Sequence, residues 1–216
     1  MTTIVPIDLT CPVCDHEFES QTIGSCGHAS MRTDFRPNYS GTNPVPHFFH
    51  ACPNCGFCGK LNTFKLTIDN LKFKKELKGI PSLKNNSISV SLTAIIVRAV
   101  RCLEKMKEYN IKRLNELTLA NKWVMAFWWS ETAEERKKYG KITLDYLKQA
   151  INKEQVPDKW FLRYIYLQGE IHRRIGNLEK ANSFFDKTIE LATEYPDPQD
   201  FASLAKQQKE DPEEIL

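Results

Sequence analysis

Two short motifs, Cys11-Pro12-Val13-Cys14 and Cys52-Pro53-Asn54-Cys55-Gly56, constrain this chain more than anything else in it. Each presents two thiols from one tight turn, so the pair supplies four soft ligands to a single ion. Four thiolates at about 2.3 Å complete the tetrahedral shell of Zn²⁺ and leave no position for water or substrate, so the expected site is structural. Iron in a Cys₄ site uses the same paired pattern and stands as the alternative ion. A redox pair requires one exposed, low-pKa thiol in a β-α-β setting, which this segment lacks. Cys55-Gly-Phe-Cys58 offers a shifted register, but the proline shared by both motifs favours Cys11, Cys14, Cys52 and Cys55. The spacing of Cys26, His28, His47, His50 and Cys58 fits no standard second site, and only coordination distances decide whether Cys58, Cys26 or His28 joins the first. Cys102, near Ala99 and Met106 on a helical repeat, reads as a packed core thiol.

Six of the seven cysteines fall between Cys11 and Cys58, in a stretch rich in glycine and proline that reads as turns and short strands in need of a cross-link. Beyond Asn86 the pattern turns helical. Leu92, Ile96, Ala99, Leu103 and Met106 mark one amphipathic helix; Leu114 to Trp128, Tyr139 to Ala150, Asp158 to Ile175 and Leu178 to Ala192 mark four more. Asp158 is the expected N-cap of the fourth, and Gly176-Asn177 the turn after it. A short helix is expected over Asp69 to Lys78, followed by a turn region at Gly79, Pro81, Asn85 and Asn86. The expected fold class is therefore α+β, mostly α: a zinc-ribbon-like module with polar loop and connector over residues 1–86, a helical domain over 87–195 and an acidic tail over 196–216. Six acidic and two basic residues give that tail a net charge of −4, and one loosely attached helix with a frayed end is expected.

The loop between the motifs, Arg32-Thr-Asp34-Phe35-Arg36-Pro37-Asn-Tyr39-Ser-Gly41-Thr-Asn43-Pro44, is dense in hydrogen-bonding groups. Arg32, Asp34, Tyr39 and Asn43 form its candidate binding set. The competing reading is a self-satisfying loop, with Arg32 paired to Asp34 and Tyr39 packed on the ribbon.

A formal charge of +3, from 30 basic and 27 acidic residues, does not advertise nucleic-acid binding. The N-terminus lacks a basic, apolar leader, and no apolar run approaches the roughly 20 residues needed to cross a bilayer. A cytoplasmic protein with reduced thiols and no membrane partner is expected.

With these features assembled, the chain resembles an uncharacterised prokaryotic family, the domain of unknown function twenty-two twenty-five. The resemblance rests on both cysteine motifs, on Arg32, Asp34, Phe35, Pro37, Tyr39, Gly41, Asn43 and Pro44, and on Gly169-Glu170-Ile-His-Arg173-Arg174-Ile-Gly176-Asn177. It departs from the family pattern at Asp15, where a glycine usually follows the first motif, and in carrying Cys26, His28 and Cys58. The family carries no assigned reaction, so the resemblance implies architecture alone. The helical part also resembles tetratricopeptide repeats: Gly169 stands at the small position of a first helix, Gly176 at the turn, Ala181 at the close-packing site and Phe185 four residues later. Such pairs stack and leave a concave face for a peptide or partner helix.

The first expectation is thus a zinc-binding, non-enzymatic scaffold that engages another protein, with Trp123, Trp128, Trp129 and Trp160 as candidate anchors. The alternatives are a nucleic-acid-binding ribbon using Lys72, Lys74, Lys75 and Lys78 with Phe48 and Phe49 as stacking groups, and a hydrolytic enzyme built on Arg32, Asp34 and His47.

Overall fold

In the computed structural model, residues 2–80, 91–195 and 199–216 are described. The expected turn residues Pro81, Asn85 and Asn86, the boundary at 86, and Pro196 and Pro198 lie outside them. Two compact units emerge, Met1–Ala29 with Tyr39–Leu114 and Ser30–Asn38 with Asn115–Leu216. The fold is α+β and mostly helical, with seven α-helices and three two-stranded sheets among the described residues.

The first unit starts with an antiparallel hairpin, β1 (Thr3–Thr10) and β2 (Glu17–Ser25), in which Thr10 faces Glu17 and Leu9 faces Phe18. The first cysteine motif forms its tip. A two-residue-deep hairpin, β5 (His50–Ala51) with β6 (Cys58–Gly59), carries the second motif in the same way. Between them β3 (His28–Met31) pairs with β4 (Pro37–Tyr39), and here the chain passes from one unit to the other and back. The long β1–β2 hairpin buries only Leu9 and the other strands are two to four residues long, so most of the unit's core comes from later segments. Phe57, Phe64 and Phe73 meet edge to face at 5.4 and 6.2 Å around Phe57. Phe73 lies on α1 (Leu71–Glu76), capped by Asn70 and confirming the expected short helix, while Ile96, Val100 and Met106 come from α2 (Leu92–Glu108).

Helix pairs build the second unit. α3 (Glu116–Trp128) and α4 (Ala133–Asn152) begin at Asn115 and Thr132, whose side chains accept hydrogen bonds from Thr118 and Glu135 backbone N–H groups. Trp123 is fully buried and stacks on Tyr139 at 5.7 Å. Gly140 is needed where α4 is crossed: a Cβ there would lie 2.9 Å from Ile175 and 3.2 Å from Phe127. α5 (Asp158–Arg174) and α6 (Leu178–Leu191) follow. Pro157, not Asp158, occupies the N-cap of α5; Asp158 is its first helical residue, where a carboxylate still complements the helix dipole. Gly176 takes φ +83° in the turn, and Asn177 caps α6.

The Phe185 ring lies directly over Gly169, where a Cβ would come within 2.6 Å of it, and Ala181 is buried beside it on α6. That seat lets a phenylalanine be wholly buried between two helices, worth about 2 kcal/mol in apolar transfer.

The end of the chain differs from the frayed tail its charge suggests. α7 (Phe201–Glu210) buries Phe201, Ala205 and Gln208. Beyond it the Thr33 N–H donates to Glu214 O at 3.1 Å and the Leu216 N–H to Met31 O at 2.9 Å, a short β-like pairing with the 30–38 segment. Net charge misleads here because Glu214 meets a local excess of arginines.

Candidate metal centre

Both cysteine motifs fold into the same backbone turn. The Cys11 N–H donates to His16 O at 2.9 Å and the Asp15 N–H to Cys11 O at 3.0 Å; in the second motif Cys52 N–H donates to Phe57 O at 2.8 Å and Gly56 N–H to Cys52 O at 2.9 Å. The fifth residue of each turn needs a left-handed conformation, φ +56° at Asp15 and +72° at Gly56. Aspartate is among the few non-glycine residues that tolerate it, so the departure at Asp15 preserves the turn.

The four Sγ atoms all lie within 4.8 Å of one another. Cys11 and Cys55 sulfurs are 3.5 Å apart and Cys14 and Cys52 sulfurs 3.7 Å. A tetrahedral ion about 2.3 Å from each sulfur requires S···S separations of about 3.8 Å. The donor set therefore fits a metal ion with little rearrangement. In the ion-free geometry the Cys11 thiol is pushed far above its ordinary range, first by its hydrogen bond with Cys55 and then by burial; burial also raises Cys52. Binding of an ion here would displace the protons of these thiols, which would couple metal uptake to proton release.

Cys58 belongs elsewhere. Its sulfur donates to Ile95 O at 3.6 Å and burial drives its pKa up, as burial pushes Cys102 up to about 11. Among the described residues the metal-competent group consists of Cys11, Cys14, Cys52 and Cys55, without Cys26, His28 or His47. His28 lies against the Tyr39 ring at 5.0 Å. His50, on β5, engages the Ser20 hydroxyl through Nδ1 at 2.9 Å.

Sequence reasoning missed Arg98. This α2 residue is buried; its Nη1 donates to Ile80 O at 2.7 Å and its Nε to Gly56 O at the back of the second turn. A Cβ on Gly56 would lie 2.3 Å from Arg98 Nη2, so this glycine answers to space as well as to φ. Four thiolates around a divalent ion carry a net charge of about −2, and the guanidinium is a countercharge close by. An arginine on an amphipathic helix gives no sequence signal of such a role.

The candidate binding loop divides between the two units. In the first, Tyr39 packs on His28 and edge-on to Phe48 at 6.4 Å, and Asn43 Oδ1 accepts from the Val45 N–H at 3.1 Å. In the second, Arg32 Nε pairs with Asp34 at 3.3 Å, the pairing the self-satisfying reading expects. Asp34 is buried, and its other oxygen lies 3.2 Å from Arg174 Nε. Arg174 and Arg173 in turn clasp buried Glu170 at 3.0 and 2.9 Å, the Thr33 hydroxyl donates to Glu170 at 2.8 Å, and Glu214 joins both arginines from the chain's end. Burial raises the Asp34 pKa even against the arginines; burial also pushes Glu214 up, but the hydrogen bonds and charges of Arg174 and Arg173 together outweigh it and lower its pKa. The Glu170-x-x-Arg173-Arg174 spacing, three and four residues on one helix, was the available signal.

The remaining candidates disperse. Phe49 is buried, and Lys74 lies 3.4 Å from Asp69. Of the tryptophans, Trp160 is 42% exposed and Trp123 fully buried, and Trp129 lies under the Arg36 guanidinium at 4.5 Å. Trp160 borders a 310 Å³ groove with Phe35, Trp128 and Tyr164. A larger groove of 690 Å³ runs between α4 and the α5–α6 pair. No described helix is long and apolar enough to cross a membrane.

Fold and site together define a protein with one unit organised by a four-cysteine cluster able to hold a metal ion and another made of antiparallel helix pairs. The chain belongs to DUF2225, a family described as uncharacterized protein conserved in bacteria, which matches residues 6–211. No curated protein and no solved structure gives a significant match.

Proposed function

We propose that this chain is a zinc-binding, non-enzymatic scaffold of the cytoplasm, in which a structural ion organises the N-terminal unit and tetratricopeptide-like helices engage another protein. The observation that carries the reading is the closed four-sulfur set, whose geometry fills every position of a tetrahedral ion. A site saturated by protein ligands stabilises and does not activate water. The stacking of Phe185 on Gly169, with Ala181 alongside, supports the repeat-like reading of α5 and α6. Arg32 and Asp34, the residues a loop enzyme would use, are committed to ion pairs.

Metal analysis of the purified full chain tests the first part: one zinc per chain, lost in both Cys11→Ser and Cys52→Ser and kept in Cys102→Ser. Iron in place of zinc, or metal retained by both serine variants, overturns it. Crosslinking in cells followed by capture of the zinc-loaded chain tests the second. A discrete protein partner lost on substituting groove residues of the helical unit supports it; recovery of nucleic acid alone sinks it.

A further inference from the structure

We propose that the groove between α4 and the α5–α6 pair docks an acidic, apolar-studded segment of a partner protein. This rests on the scaffold reading above and names the chemistry of the partner.

Charge makes the case. The second unit holds seventeen Lys and Arg against nineteen Asp and Glu, a net charge of −2. Yet its 690 Å³ groove is lined by Lys141, Lys148, Lys180 and Lys187 and a single acid, Asp145. A basic lining inside an acidic unit is a local concentration of charge, able to select carboxylates while the rest of the unit repels them. The lysines stand over an apolar floor that includes Leu144, Ile151, Ile165 and Phe184. His172 also lines the groove; its ring stacks on Phe184 at 5.4 Å, and its Nδ1 is buried without a hydrogen-bond partner among the described residues.

The same features choose peptide over nucleic acid. A phosphate polymer needs a basic track extending beyond its seat, and it would meet a unit of net negative charge. An acidic peptide needs only a few carboxylates for the lysines and apolar side chains for the floor, and both are provided within 690 Å³.

The test uses the zinc-loaded full chain and a fluorescein-labelled synthetic peptide alternating leucine and glutamate, read by anisotropy, with a leucine–lysine peptide and a single-stranded oligonucleotide of equal charge as competitors. The expected result is saturable binding of the acidic peptide, weakened at least ten-fold by combined Lys141→Glu, Lys148→Glu and Lys187→Glu, and less than two-fold by Lys137→Glu with Lys206→Glu outside the groove. Ser183→Trp, which fills the groove without changing charge, should weaken binding comparably, with circular dichroism confirming that each variant is folded. Binding weaker than millimolar, equal loss in the control pair, or preference for the oligonucleotide overturns the proposal. If partners captured from cells survive both Ser183→Trp and the triple reversal, the scaffold reading stands and its docking surface lies elsewhere.

Discussion

The cysteine cluster of the first unit and the Asp34–Glu170 cluster of the second are closed by different means. Around Cys11 and Cys52, four sulfurs meet on two turn-bearing hairpins, and an ion would complete them. Around Glu170, three arginines, Arg32, Arg173 and Arg174, answer three carboxylates, Asp34, Glu170 and Glu214, so the charges balance from within the chain. An ion bound at the first centre would place its stability in a ligand and make it sensitive to chelators, pH and metal supply. The second stores it in desolvated charge, where the intact network contributes modestly but loss of one member leaves its partners stranded.

The contrast breaks most visibly at the metal. Chelation or Cys11→Ser should release the ion and unfold the tips of both hairpins, an effect on the order of 10 kcal/mol for a structural zinc site. All four tryptophans lie in the second unit, so tryptophan fluorescence should keep its thermal transition while far-ultraviolet circular dichroism loses amplitude. A common collapse of both signals would erase the distinction. Glu170→Ala is the counterpart. It leaves Arg32, Arg173 and Arg174 against two carboxylates, Asp34 and the more exposed Glu214, and should cost about 3–5 kcal/mol, measured by denaturant unfolding on the tryptophan signal, with zinc content unchanged. Gly169→Ala should cost about 1–3 kcal/mol by overpacking against Phe185, and Phe185→Leu in the same chain should recover part of the loss.

Acid sharpens the comparison further. Because the folded-state pKa of Glu214 lies below its ordinary 4.5, its contribution is present above that value and is lost as pH falls through the lowered one. Glu214→Gln should therefore lower stability at neutral pH and flatten the acid limb of the profile, by a small amount because the carboxylate is 58% exposed. The smallest effect belongs to the turns. Asp15→Gly should leave zinc content unchanged and stabilise by at most about 1 kcal/mol through relief of the left-handed conformation. Gly56→Asp at the equivalent position should be much worse, since Arg98 fills the space behind it.

What the sequence disclosed depended on whether a feature was local. The cysteine motifs, the helices with their apolar periods and the small residues Gly169 and Ala181 are set by spacing along the chain, and each could be read from it; that the Phe185 ring seats on Gly169 could not. The partnership of Arg32 with Asp34 was legible at two residues' separation; that of Asp34 with Arg174 was not, because a loop and a helix 140 positions apart must meet. Arg98 escaped for the same reason, since its partners, Gly56 in the second hairpin and Ile80 after α1, lie far from it along the chain. Asp158 was mistaken for a cap because Pro157 also starts helices, and the two differ by one residue. Glu214 was assigned to a repelled tail because composition counts charges without locating them.

One helix gathers most of these threads. Along α5, Gln168 and His172 face the large groove, Gly169 seats Phe185, Glu170, Arg173 and Arg174 hold the 30–38 segment, and Ile171 and Ile175 press on Gly140. An ordinary amphipathic helix tolerates change once every three or four positions, on its wet face. Here two successive turns have no wet face to spare. A saturation scan should therefore show an unbroken block of intolerance from 168 to 175 in place of the usual stripes, and substitutions inside it should be recoverable only in combination.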